Sequence, residues 1–238
     1  ESMDRRVVFA RGGVSTPLAL AVEHVRPARP VASGVIQGSG RPAHELRVPY
    51  RGTELEGPAL REQLARWVAE GVIEPSAAER VATVSRNPDW LALGGRRVVI
   101  AGAGSEIGPL GPLCSWGAEV VAVDLPGAPW ERILGVAEQG AGSVHVPLDE
   151  RGTPGLDLIR ELPEARAWVG AHGEEAPLVL GMYAYAHGAK HVLLSAAFDA
   201  LTSALPGASG TALAFLATPT DTFIVPRAAA QQARERYA

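Results

Sequence analysis

The sequence predicts an α/β protein: a mostly parallel sheet with flanking helices, preceded by a partly helical N-terminal region. Three observations lead there. Short apolar runs alternate with helical segments from Arg97 onward, a glycine-rich turn follows the first run, and an acidic residue, Asp124, ends the second. The chain has 238 residues, 47% of them hydrophobic, which suffices for a packed core in one large domain or one domain with an extension. A formal charge of −4 offers no basic footprint for nucleic acid or anionic membrane, so the expected partner is a small molecule. Homo-oligomerisation is left open. The most apolar runs, Pro177–Ala186 and Thr211–Thr218, are of strand length, far short of the ~20 residues of a membrane helix. Cys114 is the only cysteine; with no signal-like N-terminus, a reducing cytoplasm is expected, and the thiol reads as a small buried hydrophobe. Glu1 and Ser2, ahead of Met3, are expected to be a non-native leader.

Asp4–Ala10 reads as a short strand, Gly12-Gly13 as a turn and Pro17–Val25 as a helix. Arg26–Gly57, rich in Pro and Gly, reads as irregular with short extended pieces. Leu60, Leu64, Trp67 and Val68 follow helical spacing over Pro58–Glu70, and Gly71 supplies the stop. Ser76 and Glu79 are expected to form a capping box for a helix that fades near Arg86. Residues 3–94 thus form the expected N-terminal region, and 95–238 the nucleotide-binding domain.

From Arg97 the alternation is regular. Strands are expected at Val98–Ala101, Glu119–Val123, Ser143–Pro147, Leu178–Tyr183 and Ala212–Ala217. Helices are expected at Pro109–Trp116, Trp130–Glu138, Leu156–Ala171, Lys190–Leu205 and Arg227–Tyr237. Right-handed crossovers between parallel strands place all their C-terminal ends on one edge, where ligands bind in open α/β sheets.

The turn carries Gly102, Gly104 and Gly108 in the pattern G-x-G-x-x-x-G, completed by Ser105 and Ile107, after an apolar strand and before a helix. Asp124 ends the next strand, 22 positions after Gly102, where its carboxylate can accept from both ribose hydroxyls and would repel a 2′-phosphate. That combination describes a Rossmann-like adenosine site and favours NAD over NADP, with Leu125 covering an adenine face. The alternative reading of the glycines is a tight βα turn that binds nothing.

The segment Ala101–Gly108 (AGAGSEIG) resembles the TGxxxGxG turn of short-chain dehydrogenases/reductases. Gly102 and Gly108 match the outer glycines, Ala101 replaces the Thr and Glu106 the middle Gly. A carboxylate about 4 Å from a diphosphate charge costs ~1 kcal/mol in water and ~4 at an effective dielectric near 20. Glu106 must therefore point away, or the phosphates must sit elsewhere. The resemblance implies a hydride-transferring NAD(H) enzyme, with Asp149 near the adenine amino group. The same stretch resembles motif I of Rossmann-like methyltransferases, implying S-adenosylmethionine as the alternative ligand, although Ile100 stands where those enzymes carry an acid.

Hydride transfer at a carbonyl needs a proton donor or acceptor at the oxygen. Gly181–His191 (GMYAYAHGAKH) holds two of the four tyrosines, the only lysine and two of the six histidines. Tyr185 is the first choice as acid/base, with Lys190 as the cation favouring its phenolate and His187 as the alternate. The family's Y-x-x-x-K spacing is absent, since Tyr185 and Lys190 are five apart. Thr218, within Thr218-Pro219-Thr220-Asp221-Thr222, stands where the family's catalytic Ser follows the next strand, and would orient the substrate oxygen. Strand-end packing for the tyrosines and turn or cap roles for His187 and His191 explain the same residues without catalysis. An ammonium at a helix N-terminus is disfavoured by the dipole, so Lys190 is expected to have an anionic partner. Metal-ligand motifs, a nucleophile elbow and a phosphate-binding P-loop are all missing. The expected function is an NAD(H)-dependent oxidoreductase on a small carbonyl or alcohol. The alternatives are an S-adenosylmethionine-dependent methyltransferase or a non-catalytic nucleotide-binding protein.

Overall fold

The computed structural model describes residues 7–205, 211–215 and 227–237. The chain divides into two compact units: one joins the segment up to Pro42 with the chain from Leu93 through the central sheet, the other joins Ala43–Ala92 with the C-terminal helix. A boundary between the units thus falls at Ala92/Leu93, and the segment up to Pro42 belongs with the sheet.

In that unit, β1 (Val8–Arg11) and β2 (Val14–Pro17) form an antiparallel hairpin around Gly12-Gly13. Both glycines have positive φ, 58° and 78°, as a two-residue turn matching strand twist requires. Pro17 ends β2 rather than opening a helix, and α1 runs over Leu18–His24. The central sheet has the order β10-β9-β6-β7-β8-β3. Its parallel strands are β6 (Arg97–Ala101), β7 (Glu119–Val123), β8 (Ser143–Leu148), β9 (Leu178–Met182) and β10 (Ala212–Phe215). From β6 at the centre the chain moves out through β7 and β8 and returns to β9 on the other side of β6. The crevice between the β6 and β9 ends is thus the switch point of a Rossmann-like sheet.

β3 (Ala32–Gln37), inside the stretch that reads as irregular, closes the β8 edge antiparallel from Ala32↔Leu148 to Gln37↔Ser143. Its alternating exposure leaves it with no apolar run to detect.

Both faces of the sheet are covered, which is why β6 reads as continuously apolar. Val99, Ala101, Val121 and Val123 face a core shared with α1, α6 (Leu162–Glu175) and α7 (Ala189–Ala204). Val98, Ile100, Val120 and Ala122 face the other, shared with α4 (Leu110–Ser115) and α5 (Pro129–Gln139). Cys114 is buried in the latter core, and burial pushes its thiol up to about 11, so it stays protonated near neutrality.

The second unit holds a hairpin of β4 (Val48–Tyr50) and β5 (Thr53–Leu55), then α2 (Gly57–Ala69) and α3 (Pro75–Arg86), with the C-terminal α8 (Arg227–Tyr237). Gly71, at φ 72°, does stop α2: its N–H bonds Val68 O and that of Val72 bonds Trp67 O, a complete Schellman ending. The capping box is absent. Pro75 takes the first helical position, which places Ser76 inside the helix, and no side chain caps its start. Among the described residues, no helix is long and apolar enough to cross a membrane.

Candidate functional site

A cavity of about 500 Å³ opens at the C-terminal edge of the sheet, at the switch point. Its floor is the β6 turn (Ala101, Gly102, Gly104, Ser105) and its β7 side is Val123, Asp124 and Leu125. Ala184, Tyr185 and Ala186 follow β9, and Lys190, Leu193 and Leu194 come from α7. The last wall is Leu156–Arg160, a loop after β8.

That loop reads as helix in the sequence, because Leu156, Ile159 and Leu162 are spaced helically. The structure starts α6 at Leu162 instead. Asp157 Oδ1 accepts from the N–H groups of Ile159 (2.9 Å) and Arg160 (3.1 Å), an Asx-type turn that competes with helix, and Glu161 Oε2 accepts from Asp157 N–H at 2.9 Å. Pro163 in the first turn of α6 is the signal that marks the later start. Leu156 N–H in turn donates to Asp124 O at 2.8 Å, fastening this wall to the β7 end.

All three motif glycines have packing reasons. Gly102 has φ 84°, and a β-carbon there would lie 2.5 Å from both N and Cα of Ala184. One at Gly104 would lie 2.7 Å from Pro129 Cβ, and one at Gly108 3.2 Å from Ser105 O. Gly102→Ala is expected to cost about 2–3 kcal/mol, since two backbone segments cannot separate cheaply and φ is left-handed. An unchanged urea midpoint would show that the β6–β9 crossing is looser than this.

The turn's own N–H groups are largely spent. Gly102 and Ala103 donate to Val123 O, Ser105 to Gly102 O and Gly108 to Ser105 O. Gly104 donates to Asp124 Oδ2 at 2.7 Å, while its carbonyl accepts from Arg132 Nη1 at 3.1 Å. Asp124 Oδ1 accepts from Leu125 N–H at 2.8 Å. Two of the roughly four acceptor positions of this carboxylate are therefore used, and two remain. The following helix, α4, has only six residues.

Of the residues expected at the site, Gly102, Gly104, Ser105, Asp124, Leu125, Tyr185 and Lys190 meet around the cavity. Ile107 and Glu106 are exposed and off its lining, and Gly108 lies behind the turn with Tyr183 Cβ nearby. Asp149 is also apart from it. Its Oδ1 accepts from Thr153 and Arg151 N–H groups, the Thr153 bond first among the causes that hold the carboxyl below its ordinary range. Its Oδ1 is thus engaged within its own loop. His187 does not line the cavity but its ring stands 5.4 Å from that of Tyr185, perpendicular to it. His191 approaches the same tyrosine at 5.1 Å, and its Nδ1 is buried without a partner among the described residues. Tyr183 is half-buried, and burial pushes its phenol up, so it serves packing. Thr218, with Thr220 and Asp221, lies outside the described residues. Among the described residues no group of three or more His, Cys, Asp or Glu could hold a metal ion.

No family model matches the chain, and no match was found among curated proteins or solved structures.

Proposed function

We propose that the cavity binds NAD(H) and that the protein is an NAD(H)-dependent oxidoreductase acting on a small carbonyl or alcohol. The observation that carries this reading is one cavity at a sheet switch point that gathers a strand-end carboxylate, Asp124, with the Tyr185 side chain and Lys190. Asp124 would hold the adenosine ribose through its remaining acceptor positions, with Leu125 beside the base. The chemistry that NAD(H) supplies when bound is hydride transfer. Tyr185 would hold or release the proton at the substrate oxygen, with the imidazole of His187 against its ring and the Lys190 charge in the same cavity. The apolar walls from Leu156, Leu158 and Leu193 would keep water from the reacting carbon.

The ribose side of this donor set fits a dinucleotide; the turn is a poor diphosphate cradle, because the N–H groups of Gly102, Ala103, Gly104, Ser105 and Gly108 are consumed internally. That inventory favours a second reading, an S-adenosylmethionine site with the same ribose carboxylate and no diphosphate.

A thermal-shift panel separates the two. NADH at a hundred times its Kd is expected to stabilise the protein by about 2.7 kcal/mol, a rise of roughly 5–10 °C in Tm. NADPH is expected to do less, and Asp124→Ala to abolish the NADH shift. Stabilisation by S-adenosylhomocysteine alone would replace the oxidoreductase reading with the methyltransferase one. Binding of NADH with no turnover of any carbonyl or alcohol would leave a nucleotide-binding protein without this chemistry, and no shift with any ligand would overturn the nucleotide site itself.

A further inference from the structure

If the glycine turn cannot cradle a charged group, the cavity needs another place for it. Four ionic side chains line it: Asp124, Asp157, Arg160 and Lys190. Both carboxylates are already committed to backbone N–H groups, Asp124 to Gly104 and Leu125, and Asp157 to Ile159 and Arg160. The cations are not. The side chain of Arg160 is 85% exposed, and among the described residues its one carboxylate contact is Asp157 at 3.8 Å. Lys190, the only lysine of the chain, has neither a hydrogen bond nor an ion pair among the described residues. It sits in the first turn of the 16-residue α7, a turn with no acidic residue, where the helix dipole opposes its charge. The anionic partner expected from the sequence is therefore not supplied by the described protein.

We propose that Lys190 and Arg160 form the anion subsite of this cavity and hold the negatively charged group on the 5′ side of the adenosine ligand, the diphosphate if that ligand is NAD(H). This rests on the nucleotide reading above. It makes the glycine turn a shape-giving element, and it moves the charged part of the ligand toward the α7 and Leu156–Arg160 walls. It also answers the problem posed by Glu106, which is exposed and off the cavity lining. A 5′ carboxylate, as in S-adenosylhomocysteine, presents the same chemistry from a different source.

Calorimetric titration of the full chain with ADP-ribose, S-adenosylhomocysteine and adenosine tests the subsite. Lys190→Ala and Arg160→Ala are each expected to weaken ADP-ribose about tenfold to a hundredfold, the range of a charge-assisted contact, and to leave adenosine within about twofold. Lys190→Arg should recover most of the loss, and added salt should weaken ADP-ribose but not adenosine. If S-adenosylhomocysteine binds in place of ADP-ribose and is weakened by the same substitutions, the subsite stands and its anion is a carboxylate. Unchanged affinity of the variants for whichever anionic ligand the wild type binds overturns the subsite and leaves the nucleotide site intact. Failure of the wild type to bind any of the three ligands overturns both. Lys190 and Arg160 are exposed, and Lys190→Gln with a circular-dichroism check excludes loss of fold as the cause.

Discussion

Glu164→Ala is expected to lower the unfolding free energy by about 3–5 kcal/mol, the cost of breaking a buried ion pair from one side. The Glu164 side chain is 2% exposed, and its two oxygens accept from Arg11 Nη1 at 2.9 Å and Nη2 at 2.7 Å. Oε1 also accepts from Ala28 N–H at 2.7 Å. One carboxylate on α6 thus fastens the β1–β2 hairpin and the approach to β3. Burial alone would push its carboxyl up, but the Arg11 hydrogen bonds, the Ala28 N–H and the guanidinium charge outweigh it and hold the group below its ordinary range. A carboxyl whose folded pKa is depressed contributes stability above its unfolded pKa and loses it as pH falls through the folded value. The wild type should therefore lose stability more steeply than Glu164→Gln below about pH 4.3, the ordinary glutamate value. Urea midpoints at neutral, mildly acidic and strongly acidic pH measure both effects. Parallel curves for the two proteins would mean that the pair contributes nothing pH-dependent.

On the proposed oxidoreductase reading, Tyr185→Phe is expected to reduce turnover with NAD(H) by about 10²- to 10⁴-fold, the usual contribution of a positioned acid or base, while the KM for cofactor changes little. The tyrosine lines the cavity and is 63% exposed, with imidazoles at 5.4 and 5.1 Å from its ring. Two residues earlier, Tyr183 supplies an internal control. Its ring packs against the position of Gly181, where a β-carbon would lie 2.5 Å from Tyr183 Cε2. Tyr183→Phe should keep the packing and most of the turnover. Equal losses in the two variants would place the effect in the β9 backbone rather than in a hydroxyl.

The contrast between these tyrosines shows how far the sequence is legible. Period-2 alternation and the position after β9 suffice to bring both to the ligand edge, yet only packing decides which one faces the cavity. The β6–turn–β7 stretch is legible because both strands are covered on both faces and therefore read as unbroken apolar runs. β3 is not, because Val35 is 57% exposed and the neighbouring Gly34 and Gly38 read as loop. At Gly38 the glycine marks a close approach instead, since a β-carbon would lie 2.1 Å from Gly140 O. Asp124 is legible by position, but its bonds to Gly104 and Leu125 depend on how the turn folds back. Leu156–Arg160 was hidden by helical spacing, and its Asx turn and Pro163 outweigh that spacing locally.

The antiparallel β3 also bears on how the sheet is completed. Pairing Gln37 with Ser143 spans more than a hundred residues of chain, with the β4–α3 unit lying between the two in sequence. Loop closure of that length costs entropy before any ladder bond is gained, so β6, β7 and β8, linked by short crossovers, are expected to assemble first. Until β3 arrives, β8 is an open edge carrying Val144 and Val146, a template for pairing with another nascent chain. A polypeptide trimmed to begin just before β6 would keep that edge permanently bare. It would also lose α1 from the core shared with α6 and α7 and leave Glu164 without Arg11, so the bare edge would come with a weakened core.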